Sequence, residues 1–259
     1  MLTEKGDLLA WLGHATFLIR LNGKTLLTDP VFYGASRLVK RQVALPVPPA
    51  ELKGIDYLLL SHGHMDHCDE KSLRLLARNN PRMEVLTTLR LGALIGKWMP
   101  GLKIQEAGWY QQYALPTDSP RVVLLPAMHW YKRTPFDDNQ RLWGSFVVQT
   151  PRTTLYFSGD SGYDSHFRQV GELFPVDIAL MGVGAYAPPF MMQDSHMNPE
   201  EATRGFNEMG AKTFVPMHHG TFDLSDEPLG EPVRWLRRLE SEGTLKGLKV
   251  LDVGEVFNL

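Results

Sequence analysis

Two apolar periods alternate along the chain, and the alternation predicts strands interleaved with helices. Leu8–Leu12, Thr16–Leu21 and Thr25–Thr28 are short runs of strand character, and Asn22-Gly23 between the last two is a hairpin signal. After a proline-rich loop through Pro46, Pro48 and Pro49, the unbroken apolar run of Tyr57–Ser61 predicts a fully buried strand. Glu70–Asn79 places Leu73, Leu76 and Ala77 at helical spacing, Val85–Thr88 is a strand, and Leu89–Met99 is expected to be a helix stopped by Pro100-Gly101. Further strands are predicted at Arg121–Pro126, Gly144–Thr150, Thr153–Ser158, Asp177–Gly182 and Thr213–Pro216, the second and third joined by a tight Pro151-Arg152 turn. Helices are expected at Asp164–Leu173, Pro199–Met209 and Pro232–Glu242. The second of these has a complete start signal: Asn198 as cap, Pro199 at the first helical position and Glu201 closing a capping box. With neither a low-complexity linker nor a short-period repeat, residues 1–259 are expected to form one α/β domain, strands in two groups and helices outside.

Composition narrows the class. The 259 residues carry a net charge of −2 and an isoelectric point near 6.5, which leaves no electrostatic footprint for nucleic acid. The one basic cluster, Arg37 to Arg41, is expected to be a solvated loop. A single cysteine, Cys68, excludes an internal disulfide framework and a cysteine-based zinc finger, and fits a reducing compartment. The N-terminal sequence lacks the apolar run of a signal peptide, and no 18-residue apolar stretch follows, so a cytoplasmic protein without stable membrane insertion is expected. Oligomeric state is not legible.

The chemistry concentrates where strands end. Directly after the Tyr57 strand stands Ser61-His62-Gly63-His64-Met65-Asp66-His67. At this chain's histidine and aspartate content, His-x-His-x-Asp-His arises by chance roughly once in a thousand such chains. Imidazole nitrogen and carboxylate oxygen suit zinc and similar borderline cations, and one loop carrying four of them lowers the entropy of assembling a site. His129, Asp160 and His218 each follow another predicted strand, and glycines flank Asp160 where the backbone must turn sharply.

These residues resemble the signature of the metallo-β-lactamase superfamily, HxHxDH followed by a distal His, Asp and His. Local phrases such as WLGHATFLI (11–19), LTDPVF (27–32), FSGDSGY (157–163), HMNPEEA (196–202) and MHHGTF (217–222) are most similar to the branch containing the N-acyl-phosphatidylethanolamine-hydrolysing phospholipase D. The resemblance implies an αββα four-layer sandwich with the site along one edge of its two sheets. It implies His62, His64 and His129 around one metal, Asp66, His67 and His218 around a second, Asp160 bridging them, and Asp29 supporting the ligands from behind. Seven donors exceed what one tetrahedral zinc takes, so two divalent ions are expected, Zn2+ first, with Mn2+ or Fe2+ compatible with the same donors. Two-metal hydrolases hold their ions about 3.5–4 Å apart around a hydroxide. Catalytic roles are expected for Asp66, orienting that nucleophile, and for His196, contacting substrate or leaving group.

The expected function is binuclear hydrolysis of a phosphodiester, in a phospholipid-like or small organophosphate substrate. Two alternatives stand beside it: a lactonase resembling the ascorbate-6-phosphate lactonases, and a metal-bound sensor without turnover. Trp130-Tyr131 and Tyr186–Met192 are expected to wall an apolar pocket, with Lys132 and Arg133 meeting a phosphate or carboxylate. The chain is short at its N-terminus beside the phospholipases, which puts a bilayer-docked substrate in question. His14 is expected either to support the ligands from behind or to be structural rather than to ligate, His219 to be structural, His166 solvated and Cys68 a buried thiol.

Overall fold

In the computed structural model of the chain, residues 6–36 and 38–259 are described. The first apolar runs form an antiparallel meander of β1 (Leu8–Gly13), β2 (Thr16–Leu21) and β3 (Lys24–Thr28). Asn22 and Gly23 turn β2 into β3 with φ of 52° and 73°, the backbone that a two-residue hairpin needs. Pairing then becomes parallel through β4 (Tyr57–Leu60), β5 (Glu84–Thr88) and β6 (Lys103–Ala107), with α1 (Glu70–Asn79) and the short α2 (Gly92–Ile95) in the crossovers.

The second sheet starts antiparallel with β7 (Gln111–Gln112), β8 (Arg121–Leu125), β9 (Ser145–Gln149) and β10 (Thr154–Phe157). Across α3 (His166–Leu173), the small turn α4 (Pro189–Met192) and α5 (Pro199–Met209) it continues in parallel as β11 (Ile178–Gly182) and β12 (Thr213–Met217). Finally α6 (Glu231–Ser241) leads to β13 (Val256–Asn258), which returns to pair with β1. The strand orders are β13-β1-β2-β3-β4-β5-β6 and β12-β11-β10-β9-β8-β7.

Period-2 alternation divides each strand between two cores. Leu9, Phe17, Leu59, Leu86, Phe146, Phe157 and Leu180 face one another between the sheets. Their chain neighbours Leu8, Leu58 and Leu60 pack outward with Leu73 and Leu76 of α1, while Tyr156, Ala179 and Met181 pack outward with Phe167 of α3 and Phe206 of α5. Helix, sheet, sheet and helix are therefore stacked as expected.

Differences from the sequence reading are local. Only Gly92–Ile95 of the predicted Leu89–Met99 helix is an α-helix, because Gly92 and Gly96 weaken it and the Glu106 carboxylate holds the Gly92 amide at 2.6 Å. The strands β6, β7 and β13 carried too little apolar pattern to be recognised: all three are sheet edges whose residues, Ala107 apart, are exposed or half-buried. In the basic cluster, Arg37 lies outside the described residues and Leu38 is exposed. Arg41 is not solvated: its guanidinium donates to the carbonyls of Leu12 at 2.7 Å, Val31 at 2.8 Å and Val43 at 3.2 Å, tying the loop to the sheet edge.

Candidate metal centre

Every donor singled out from sequence stands just beyond the carboxyl end of a strand, on one edge of the sandwich. β3 delivers Asp29, β4 the run His62–His67, β10 Asp160 and β12 His218, while His129 follows β8. The loop after β4 is fixed at both ends. The amide of Cys68 returns to the His64 carbonyl at 2.8 Å, and Asp69 caps α1 through the Ser72 amide at 2.9 Å.

The side chains gather into two groups. His62, His64, His129 and Asp160 each offer one atom within 4.8 Å of the others, and so do His14, Asp66, His67 and His218. In the first group, His64 Nδ1 is 3.0 Å from His62 Nε2 and 3.1 Å from His129 Nε2. Asp160 faces both groups: Oδ2 is 3.8 Å from His62 Nε2 and 3.0 Å from His67 Nε2, and Oδ1 is 3.2 Å from His218 Nε2.

Hydrogen bonds behind the rings turn nitrogen lone pairs inward. His67 Nδ1 donates to Asp29 Oδ2 at 2.8 Å, and His129 Nδ1 to the Ser195 carbonyl at 3.2 Å. His62 Nδ1 is 2.9 Å from Ser61 Oγ, whose own hydrogen goes to Asp29 Oδ2 at 2.5 Å. Those tautomers, assigned from their partners, leave Nε2 of all three rings unprotonated and turned toward Asp160 Oδ2, at 3.8 Å for His62, 3.0 Å for His67 and 3.9 Å for His129. His67 Nε2, His218 Nε2 and Asp160 Oδ1 are buried without a hydrogen bond of their own. Converging lone pairs and orphaned buried atoms are an arrangement that a cation satisfies and that neutral packing does not.

Electrostatics agrees. Burial pushes His62, His64 and His129 below the ordinary histidine range, into the neutral form that offers a lone pair. For His67 and His218 burial also lowers the pKa, but Asp160 and Asp66 outweigh it and lift His218 to about 9 and His67 well above its usual value. Burial would raise Asp66 and Asp160, yet the surrounding histidines hold both well below the usual carboxylate range. The cluster thus sets two raised histidines beside two ionised carboxylates.

Backbone strain is concentrated here too. His14, Asp29, Ala185 and His218 take φ of 55°, 29°, 62° and 60° without being glycine. Each such residue costs on the order of 1–3 kcal/mol, which the surrounding structure must supply.

Across the protein as a whole, residues 24–219 match the family described as the Beta-lactamase superfamily domain. The chain belongs to the metallo-β-lactamase superfamily. The matched stretch contains all seven sequence-predicted ligands. It is 37% identical over 237 residues to an uncharacterised protein of Mycobacterium tuberculosis, an alignment covering 88% of this chain but only 62% of that protein. It is 30% identical to the N-acyl-phosphatidylethanolamine-hydrolyzing phospholipase D 1 of Caenorhabditis elegans, covering 98% of this chain and 76% of the relative. Among solved structures, the isothiocyanate hydrolase from Delia radicum gut bacteria superposes with a TM-score of 0.75 at 19% identity, covering 97% of this chain and 98% of the other, a likeness of fold.

In this superfamily member the centre opens into a cleft of about 300 Å³. His64, Asp66, Asp160, His196 and His218 reach its lining, and Val39, Met65, Trp130, Met192 and Leu224 form its apolar side. Trp130 and Met192 thus stand where the pocket wall was expected, whereas Tyr131 is wholly buried, its hydroxyl on Asp137 at 3.1 Å. Arg133 does not meet the cleft as an anion binder: it donates to the carbonyls of Gly63 and Cys68 at 2.8 and 2.9 Å and so braces the ligand loop. Lys132 pairs with Asp138 at 2.9 Å. His166 is buried rather than solvated, tilted against Phe167 with ring centres 4.0 Å apart. His219 packs on Trp11, and Cys68 is fully buried, its thiol pushed up to about 12 by burial. His196 sits with Nδ1 3.9 Å from Asp160 Oδ2, and burial lowers it to about 4. Among the described residues, no helix is long and apolar enough to cross a membrane.

Gly184, after β11, passes so close to His218 that a Cβ there would lie 2.0 Å from the His218 carbonyl oxygen. Gly184→Ala is expected to lower stability by about 1–3 kcal/mol and to displace His218, reducing metal content at the same time. Thermal unfolding together with elemental analysis checks it, and an unchanged metal content would contradict the close-approach argument.

Proposed function

We propose that this chain is a binuclear metal-dependent hydrolase of phosphodiesters, in a phospholipid-like or small organophosphate substrate. The observation that carries the reading is the gathering of the seven donors at the floor of a half-apolar cleft. Asp160 is grouped with His62, His64 and His129 and is also 3.0 Å from His67 and 3.2 Å from His218, while Asp66, His67 and His218 cluster with His14. One ion would be held by His62, His64 and His129, the other by Asp66, His67 and His218, with Asp160 between them. Zinc suits this N/O set first. When bound, such ions acidify water and stabilise charge on substrate oxygens.

The chain's own side chains set the rest. Asp66, ionised and only partly buried, orients the attacking water. His196, kept neutral by burial, donates a hydrogen bond to a substrate or leaving-group oxygen over the Asp160 side of the cleft. Trp130, Met65 and Met192 exclude water and seat the apolar part of the substrate; methionine adapts to varied shapes. Support for a phosphodiester comes from the relative of Caenorhabditis elegans, named for hydrolysing one.

The test couples elemental analysis of the purified protein to turnover of bis(p-nitrophenyl) phosphate, a panel of lactones and a β-lactam. Phosphodiester turnover that chelation abolishes and zinc or manganese restores is the expected result. Lactone-only turnover would replace this reading by a lactonase. Two retained ions without turnover of any ester would point to a sensor.

A further inference from the structure

We propose that His14 is a positioning residue for Asp66: its Nε2–H donates to Asp66 Oδ2 and fixes that carboxylate toward the second cation group. The proposal rests on the binuclear reading above. His14 lies outside the stretch matched to the superfamily, which begins at residue 24, and so nothing in that match assigns it a part.

The geometry is specific. His14 Nε2 is 3.2 Å from Asp66 Oδ2, the nearest nitrogen to that oxygen, with His67 Nε2 and His218 Nε2 each at 3.5 Å. Those two must present lone pairs if they ligate a cation, which leaves His14 as the group able to give Asp66 a hydrogen. Asp66 needs one. Its side chain is 19% exposed while those of His67, His218 and Asp160 are at most 2% exposed, so it alone in the second group is free to swing toward solvent.

His14 itself cannot move. Its ring is packed against His218, ring centres 4.0 Å apart, and edge-on to Phe222 at 4.9 Å. Its amide donates to Thr221 Oγ1 at 2.7 Å, and its carbonyl accepts from Trp11 Nε1 at 2.8 Å and from the His218 amide at 3.2 Å. Its φ of 55° is held against the intrinsic preference of the backbone. The β1–β2 turn is thereby locked to the loop after β12, and the imidazole is the part of that lock that reaches Asp66.

Metal-free wild type, His14→Phe, His14→Asn and His14→Gln are titrated with cobalt(II) by calorimetry, with the visible spectrum of the loaded protein as a second readout. Phe keeps a ring but has no donor. Asn tolerates the left-handed backbone but is too short to reach, whereas Gln can extend an amide N–H to Asp66. Wild type is expected to show two binding events. His14→Phe and His14→Asn should keep the first and weaken the second by roughly 10–100-fold, with an altered cobalt spectrum. His14→Gln should recover most of that loss. Two unperturbed events in His14→Phe or His14→Asn would overturn the proposal, as would equal impairment in all three variants. A single event in wild type overturns the binuclear reading itself, and with it this role for His14.

Discussion

Asp160→Asn is expected to reduce bound metal from two ions toward one or fewer, and to lower kcat/KM by about 1,000-fold or more. Groups behind a metal ligand typically change affinity or activity 10–100-fold, and Asp160 stands in front of such groups, facing both proposed cation sites. It is 4% exposed, with Oδ2 3.0 Å from His67 Nε2 and Oδ1 3.2 Å from His218 Nε2. Asparagine preserves shape but removes the charge, and it turns an N–H2 toward one of the two groups where only acceptors are useful. The same change removes the main counter-charge that raises His67 and His218. Fold integrity is not at issue, because β10 and the turn through Gly159 keep their backbone bonds, including the Ser158 amide to the Leu180 carbonyl at 3.0 Å. Elemental analysis beside turnover measures both effects. Two ions and undiminished turnover in the variant would sink the bridging role.

The centre was legible in the sequence because its donors follow strands whose apolar runs are themselves easy to recognise. A buried strand such as Tyr57–Leu60 must end at the sheet edge, so residues crowded just after it share that edge with residues placed the same way after β8, β10 and β12. Less legible was anything decided by a single long-range contact. Nothing in Trp-Leu-Gly-His says that His14 meets Asp66, since a separation of 52 positions is bridged only by folding. Arg133 reads as an anion binder because its charge is visible, whereas the two carbonyls that occupy it come from residues 63 and 68. Arg41 is the same case, a charged residue absorbed by loop carbonyls. His166 sits on an amphipathic helix whose buried side also takes Phe167, and one position of phase decides solvent or core. The edge strands escaped notice because a strand covered on one side needs little apolar residue.

Asp29→Ala is expected to lower the stability of the metal-free protein by about 3–5 kcal/mol, a fall of roughly 10 °C in Tm for a chain of this size. Asp29 is completely buried and touches no part of the cleft, so the variant separates the support of the site from the site itself. Its carboxylate accepts three hydrogen bonds: from the Ser61 amide at 2.8 Å, the Ser61 hydroxyl at 2.5 Å and His67 Nδ1 at 2.8 Å. Truncation strands all three donors in a dry interior, and an unmade bond to a buried donor costs more than the made bond contributes. His67 then loses what fixes its tautomer, and His62 loses the Ser61 relay that fixes its own, so one deletion slackens a ligand in each cation group. Metal affinity should therefore fall at both sites by about 10–100-fold, in contrast to the single-site loss expected at His14. Asp29→Asn should be milder in stability, since one oxygen remains, yet its N–H2 must face at least one donor. Thermal unfolding in chelator isolates the first effect, and titration with zinc the second. An unchanged Tm in chelator would mean that Asp29 is dispensable to the folded edge, whereas a lowered Tm with intact zinc affinity would mean that the imidazoles are held by packing alone.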